Sequence, residues 1–186
     1  MVRLSKWFHR ISTGLVALIA LVVFLAFTAT VLPNQAQQAA EFSNGADSPD
    51  SSFFYSSSDL YASAEAFGET GRTAYVRARW TFDVAWPLVY TAFLVTAISW
   101  VFKNAIPLDS KFQLLNLIPV LGMKFDFLEN TAASIVMARF PQASPVAAFL
   151  APIFTPVKWL FVNGSFVVLL VGLILLARKM LRKKKE

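Results

Sequence analysis

The chain has 186 residues, 56% hydrophobic, 15% aromatic and 15% charged, with a formal net charge of +6 and a mean hydropathy of +0.56. Soluble domains carry about 25% charged residues, so this balance leans toward a membrane solvent, and the length suits one compact domain. Cysteine is absent and His9 is the only histidine, which excludes disulfides, thiol catalysis and thiolate metal sites and argues against a histidine-rich centre or a serine–histidine triad; no metal or cofactor is expected.

Arg3, Lys6 and Arg10 precede a charge-free run from Ile11 to Leu32. A hydrocarbon core of about 30 Å needs roughly 20 apolar residues in a helix rising about 1.5 Å per residue, and residues 11–32 meet that need. The run is longer than the roughly 7–15 residues of a secretory signal, so an uncleaved anchor is expected. An outer segment, 33–81, follows. Residues 34–58 are rich in Gln, Ala, Ser, Asn, Asp and Gly with little apolar periodicity and read as loop. Ser58 is expected to cap a short helix through Phe67, with Gly68 as its stop. A second helix is expected to start near Thr70 and run unbroken into a second span, 82–102.

Lys103 and Lys111 bracket a short loop, 103–111, before a third span at 112–136. Residues 137–157 read as a turn and a helical lead-in, with Ser144 as cap, Pro145 as first helical residue, and interruptions at Pro152 and Pro156. A fourth span, 158–177, ends at the basic tail 178–186. Basic residues flank the N-terminus, the 103–111 loop and the tail, so all three are expected in the cytoplasm. The expected fold is all-α: one up-and-down bundle of four transmembrane helices with a small extracytoplasmic helical cap. Basic tails also occur in nucleic-acid binders, but no aromatic–basic interleaving accompanies this one. Its expected partners are membrane lipids, with no nucleic acid.

Counting residues gives depth. Asp83 lies 20 residues before Lys103; Asp126, Glu129 and Asn130 lie 15, 18 and 19 after Lys111; Lys158 lies 20 before Arg178. These spacings correspond to about 22–30 Å above the inner boundary. Three spans therefore bring Asp83, Asp126, Glu129, Asn130 and Lys158 to one layer in the outer half of the bilayer, and no comparable layer is expected in the inner half. Asp126, Glu129 and Asn130 share a helical face at i, i+3 and i+4, which Ser134 continues. Charges facing lipid at depth are costly, so these are expected to face the bundle, with Lys158, Arg79 or Lys124 as counter-ions and Trp86 and Tyr90 as hydrogen-bonding neighbours. Gly164 and Gly172 suggest close helix contact.

The stretch DLYASAEAFGETGRTAYVRARWTFDVAWPLVY, followed by FDFLEN and PVKWLFV, resembles a family of uncharacterised four-span membrane proteins of prokaryotes. The shared elements fall on Tyr61; on Gly71, Arg72 and Tyr75; on Asp83, Pro87 and Tyr90; and on Asp126, Glu129 and Asn130. The resemblance implies a four-helix fold in the plasma (bacterial inner) membrane and implies no activity. The expected function is that of a non-enzymatic membrane module, an accessory, scaffold or lipid- or partner-binding subunit, with a larger membrane protein complex as a further candidate partner. The alternative is a small transporter or proton-coupled membrane enzyme using Asp83, Asp126 and Glu129.

Overall fold

The computed structural model describes residues 1–43, 49 and 53–183, and among them every regular element is helical. The basic N-terminus forms a helix of its own, α1 (Val2–Ile11), separated from α2 (Gly14–Phe42) by extended backbone at Ser12 and Thr13. Thr13 Oγ1 accepts the Val16 N–H at 3.2 Å and caps α2. α2 runs through Pro33 to Phe42, so residues 34–42, expected as loop, are helical. Their Ala and Gln residues are good helix formers, and a helix already nucleated by an apolar run extends without a new nucleus. The rest of the expected linker up to residue 52 lies outside the described residues, Ser43 and Pro49 excepted.

Ser56, rather than Ser58, caps α3 (Ser57–Ala66): its Oγ accepts the Asp59 N–H at 3.2 Å, and the Asp59 carboxylate accepts the Ser56 N–H at 2.8 Å, a reciprocal capping box. Gly68, at φ 62°, turns the chain into α4 (Gly68–Arg79) in a conformation that other residues resist. The expected unbroken run into the next helix is interrupted. Trp80 and Thr81 leave helical geometry before α5 (Phe82–Ala105) begins, and Thr81 Oγ1 donates to the Arg77 carbonyl at 2.7 Å, a side-chain bond that competes with the helical ladder. The start of the expected third span is also altered: Lys111–Leu117 is a 3-10 helix, and α6 occupies Ile118–Arg139.

α7 (Pro145–Lys183) is continuous through Pro152 and Pro156, where interruptions were expected. Proline at 152 supplies no N–H for the Ala148 carbonyl one turn back; Ser57 Oγ of α3 donates to that carbonyl instead, at 2.8 Å. Among the described residues, three helical stretches are long and apolar enough to cross a membrane: α2, the α4–α5 stretch and α7. α6, with 22 residues including Lys124, Asp126 and Glu129, is not among them.

α5 is the central helix, packed against α2, α6 and α7, and the α6–α7 pairing is the most extensive. One apolar core joins Leu60, Ala64, Phe67 and Tyr75 of α3 and α4 to Val136 and Met137 of α6 and Ala148 and Ala151 of α7. A second joins Tyr90 to Phe102 of α5 with Val162 and Leu169 of α7 and Phe24 of α2. Of the two glycines noted in α7, a Cβ at Gly172 would lie 2.5 Å from the Phe102 ring, whereas one at Gly164 would meet nothing within 4 Å. Only Gly172 permits a close approach.

A polar knot ties α1 to the C-terminal end of α5, although no such layer was expected there. The two ring nitrogens of His9 lie 3.1 Å from the Ser99 carbonyl and 3.0 Å from the Gln113 carbonyl. Ser5 Oγ donates to the Gln113 carbonyl at 3.2 Å, and Asn116 Nδ2 donates to Ser99 Oγ at 2.9 Å and to the Ser5 carbonyl at 3.2 Å. Lys103 Nζ reaches the carbonyls of His9 and Ser12. Gln113 Nε2 lies within 3.4 Å of the carbonyls of Phe102, Ile106 and Pro107 around the end of α5, and Lys179 Nζ donates to the Asn104 carbonyl at 2.7 Å.

Candidate functional site

The N-terminal half of α5, the middle of α6 and the N-terminal half of α7 converge on a buried polar cluster. Its centre is Glu129, with no exposed surface; Asp126 and Lys158 are 6% and 7% exposed. Lys158 Nζ forms a direct ion pair with Glu129 Oε2 and stands 3.9 Å from Asp126 Oδ1. Tyr90 donates its hydroxyl proton to Asp126 Oδ2 at 3.0 Å, and Asn130 Nδ2 lies 3.4 Å from Asp126 Oδ1. Thr155 Oγ1 is 2.6 Å from Glu129 Oε1, and the Tyr55 hydroxyl is 3.3 Å from Thr155 Oγ1.

Helical geometry explains the convergence. Positions 126, 129 and 130 form one stripe of α6, and Thr155 and Lys158 stand at i and i+3 on the α7 face that meets it. Gly122, one turn before Asp126, lets the two backbones approach: a Cβ there would lie 3.0 Å from Val162. Arg79 and Asp83 form a second ion pair where α4 passes into α5, with the Arg79 guanidinium also 4.4 Å over the Tyr75 ring. At the head of the bundle three carboxylates thus meet two cations.

The two pairs face a shared cavity of about 500 Å³. Arg79, Asp83, Tyr90, Asp126 and Lys158 line it, and Glu129 lies behind Lys158, outside the lining. The rest of the wall comes mainly from α2, α5 and α7 and is mostly apolar, including Phe24, Leu32, Trp86, Trp159, Val162 and Phe166, with Thr28, Gln35 and Asn163 as its other polar residues. Trp86 stacks on Phe24 and Phe27 of α2, and Phe24 meets Phe166 of α7 at 6.2 Å between ring centroids.

The sequence-derived residues fall into both pairs. Asp126, Glu129, Asn130, Lys158 and Tyr90 form the centre; Arg79 and Asp83 form the neighbouring pair. Lys124, considered as a counter-ion, is exposed; two residues from Asp126 it lies about 200° around α6, on the opposite face. Thr155 and Tyr55 were not anticipated. Thr155 carried a signal in its i, i+3 spacing to Lys158; Tyr55, in an irregular segment, carried none. Neither family models, curated proteins nor solved structures give a match to this chain.

Proposed function

We propose that the chain is a four-span membrane protein with both termini in the cytoplasm, and that it acts as a non-enzymatic binding or accessory module through the polar cluster in the outer half of the bilayer. The observation that carries this is the burial of the two carboxylates of α6. Asp126 and Glu129 point into the bundle and are matched by Lys158 and Tyr90, so the outer face of α6 carries neither carboxylate and Lys124, whose long stem can reach toward an interface, is its exposed mid-helix charge. With α6 as a span beside α2, α5 and α7, the number of crossings is even, as the basic residues at both ends require. α3 and α4 then form a small cap over the outer ends of α6 and α7.

The cluster both locks three helices together and lines a cavity. A lock alone needs no opening; the cavity favours a binding role. Native purification in mild detergent, with co-purifying lipids and proteins identified by mass spectrometry, tests this beside Glu129→Gln. A stoichiometric companion of the wild type, lost from a folded Glu129→Gln, is expected. A bare wild-type protein would reduce the cluster to a helix lock.

The surplus of one carboxylate over the cations supports a second reading, a small transporter or proton-coupled enzyme in which that charge holds a proton or a cation in transit. Under it, Glu129→Gln abolishes proton-linked flux in proteoliposomes while the fold persists.

A further inference from the structure

The short helix α1 carries three faces of different chemistry. Successive residues turn by about 100° around a helix. Ser5, His9 and Ser12 therefore share one face, Leu4, Trp7 and Ile11 a second, and Arg3, Lys6 and Arg10 a third. The first face is the one bound to the bundle: Ser5 and Ser12 are 2% and 0% exposed, and Ser5 and His9 reach the Ser99 and Gln113 carbonyls. The other two faces point away from it. Leu4, Trp7 and Ile11 are 44%, 46% and 38% exposed, and Arg3, Lys6 and Arg10 are exposed beside them. Among the described residues these three cations form no ion pair.

The polar knot also fixes the level of α1. Its partners on α5 are Ser99 and Lys103, in the last turns before that helix ends at Ala105. α2 sets out beside the same turns, where a Cβ at Gly14 would lie 3.2 Å from Trp100 Nε1. In the four-span reading Lys103 marks the cytoplasmic boundary of the bilayer, so α1 sits at that boundary with an apolar and a basic face turned outward. Water solvates only the basic face, and hydrocarbon suits only the apolar one. An anionic lipid surface satisfies both, with acyl chains against one and phosphates against the other. The surroundings repel anions little: the first 40 residues contain no Asp or Glu, and Asp109 is the one acidic residue in 103–117.

We propose that α1 is an interfacial helix that binds anionic phospholipid of the cytoplasmic leaflet, with Leu4, Trp7 and Ile11 among the upper acyl chains and Arg3, Lys6 and Arg10 against the lipid phosphates. The proposal rests on the membrane reading above but concerns the opposite end of the molecule from the cluster around Glu129. Because the knot already holds α1 helical and oriented, lipid does not have to order it on binding.

The test uses the full chain with Leu4→Cys as its single cysteine, carrying a nitrobenzoxadiazole label, in phosphatidylcholine nanodiscs. Phosphatidylglycerol or phosphatidylcholine of identical acyl chains, spin-labelled high on one chain, is titrated in as quencher. Half-quenching is expected at about fivefold less phosphatidylglycerol than phosphatidylcholine, the gain that one basic residue brings near an anionic surface. The label is also expected to be shielded from a neutral water-soluble nitroxide. Arg3→Gln, Lys6→Gln and Arg10→Gln together, all on an exposed face, are expected to abolish the preference at an unchanged thermal midpoint. Four results would each overturn the proposal: equal half-quenching by the two lipids, an unchanged preference in the triple variant, quenching from water but by neither lipid, or shielding from all three quenchers, as a covering protein would give. A label on Leu160→Cys, exposed on α7, is expected to be quenched by both lipids alike. Its escape from both would mean that the bundle is not embedded, a failure of the membrane reading rather than of the lipid assignment.

Discussion

At the scale of single residues, the fully buried Glu129 and its lysine partner dominate. Removing one member of a buried ion pair leaves the other charged and desolvated, at a cost of about 3–5 kcal/mol in soluble proteins, although hydrogen bonds between membrane helices average nearer 0.6 kcal/mol. Glu129→Gln is expected to lower the thermal midpoint in detergent, and Lys158→Met in the same background is expected to recover most of the loss. Midpoints of the two single variants and the double variant check this; additive losses would mean that the pair is not coupled. Asp59 provides a separate handle on pH. The Ser56 hydroxyl and then the Ser56 backbone N–H hold its carboxylate below the ordinary aspartate range. A lowered folded-state value gives stability that is present above the unfolded value, about 3.9, and is lost as pH falls through the folded one. The protection of α3 amides relative to their intrinsic exchange rate should fall below about pH 4 in the wild type, and Asp59→Asn should show the lower protection already at neutral pH.

At the scale of elements, much of the helix order was legible because apolar length and terminal charges are strong signals, whereas boundaries depended on local partners invisible in a one-dimensional pattern. α2 overran its expected end because helix-forming Ala and Gln followed a helix already formed. α7 was expected to break at Pro152, yet Ser57 of α3 supplies the bond that the proline removes. The knot around His9 was missed for a related reason. Its acceptors are mostly backbone carbonyls at the end of α5 and in the 3-10 helix, and every residue carries a carbonyl, so side-chain spacing gives no warning. The charged stripe of α6 was legible because three polar residues at i, i+3 and i+4 in an apolar setting have few alternatives to a buried face. The same helical arithmetic, applied to Lys124, would have removed it from the counter-ions. Glycine spacing in α7 was half informative. Gly172→Ala is expected to cost about 1–3 kcal/mol by overpacking against Phe102 and Val101, while Gly164→Ala is expected to be near neutral; chemical or thermal unfolding of the two variants in detergent distinguishes them.

At the scale of the whole molecule, the arrangement is a helical bundle with a polar tie at each end and a cavity on one side. Among the described residues three stretches have the length and apolar character of membrane spans; the proposal that α6 is the fourth depends on partners in other helices covering its two carboxylates. Whether α6 crosses decides the depth of the polar cluster and the side on which both termini lie. The absence of native cysteine makes this directly measurable. Single cysteines at Asp109, before α6, and at Gln142, after it, both replace exposed residues and would be labelled in intact cells with a membrane-impermeant maleimide. The account predicts labelling of Gln142→Cys from outside and of Asp109→Cys only after lysis. Labelling of both positions from the same side would mean that α6 does not cross, and would contradict the four-span bundle and the outer-leaflet site built on it.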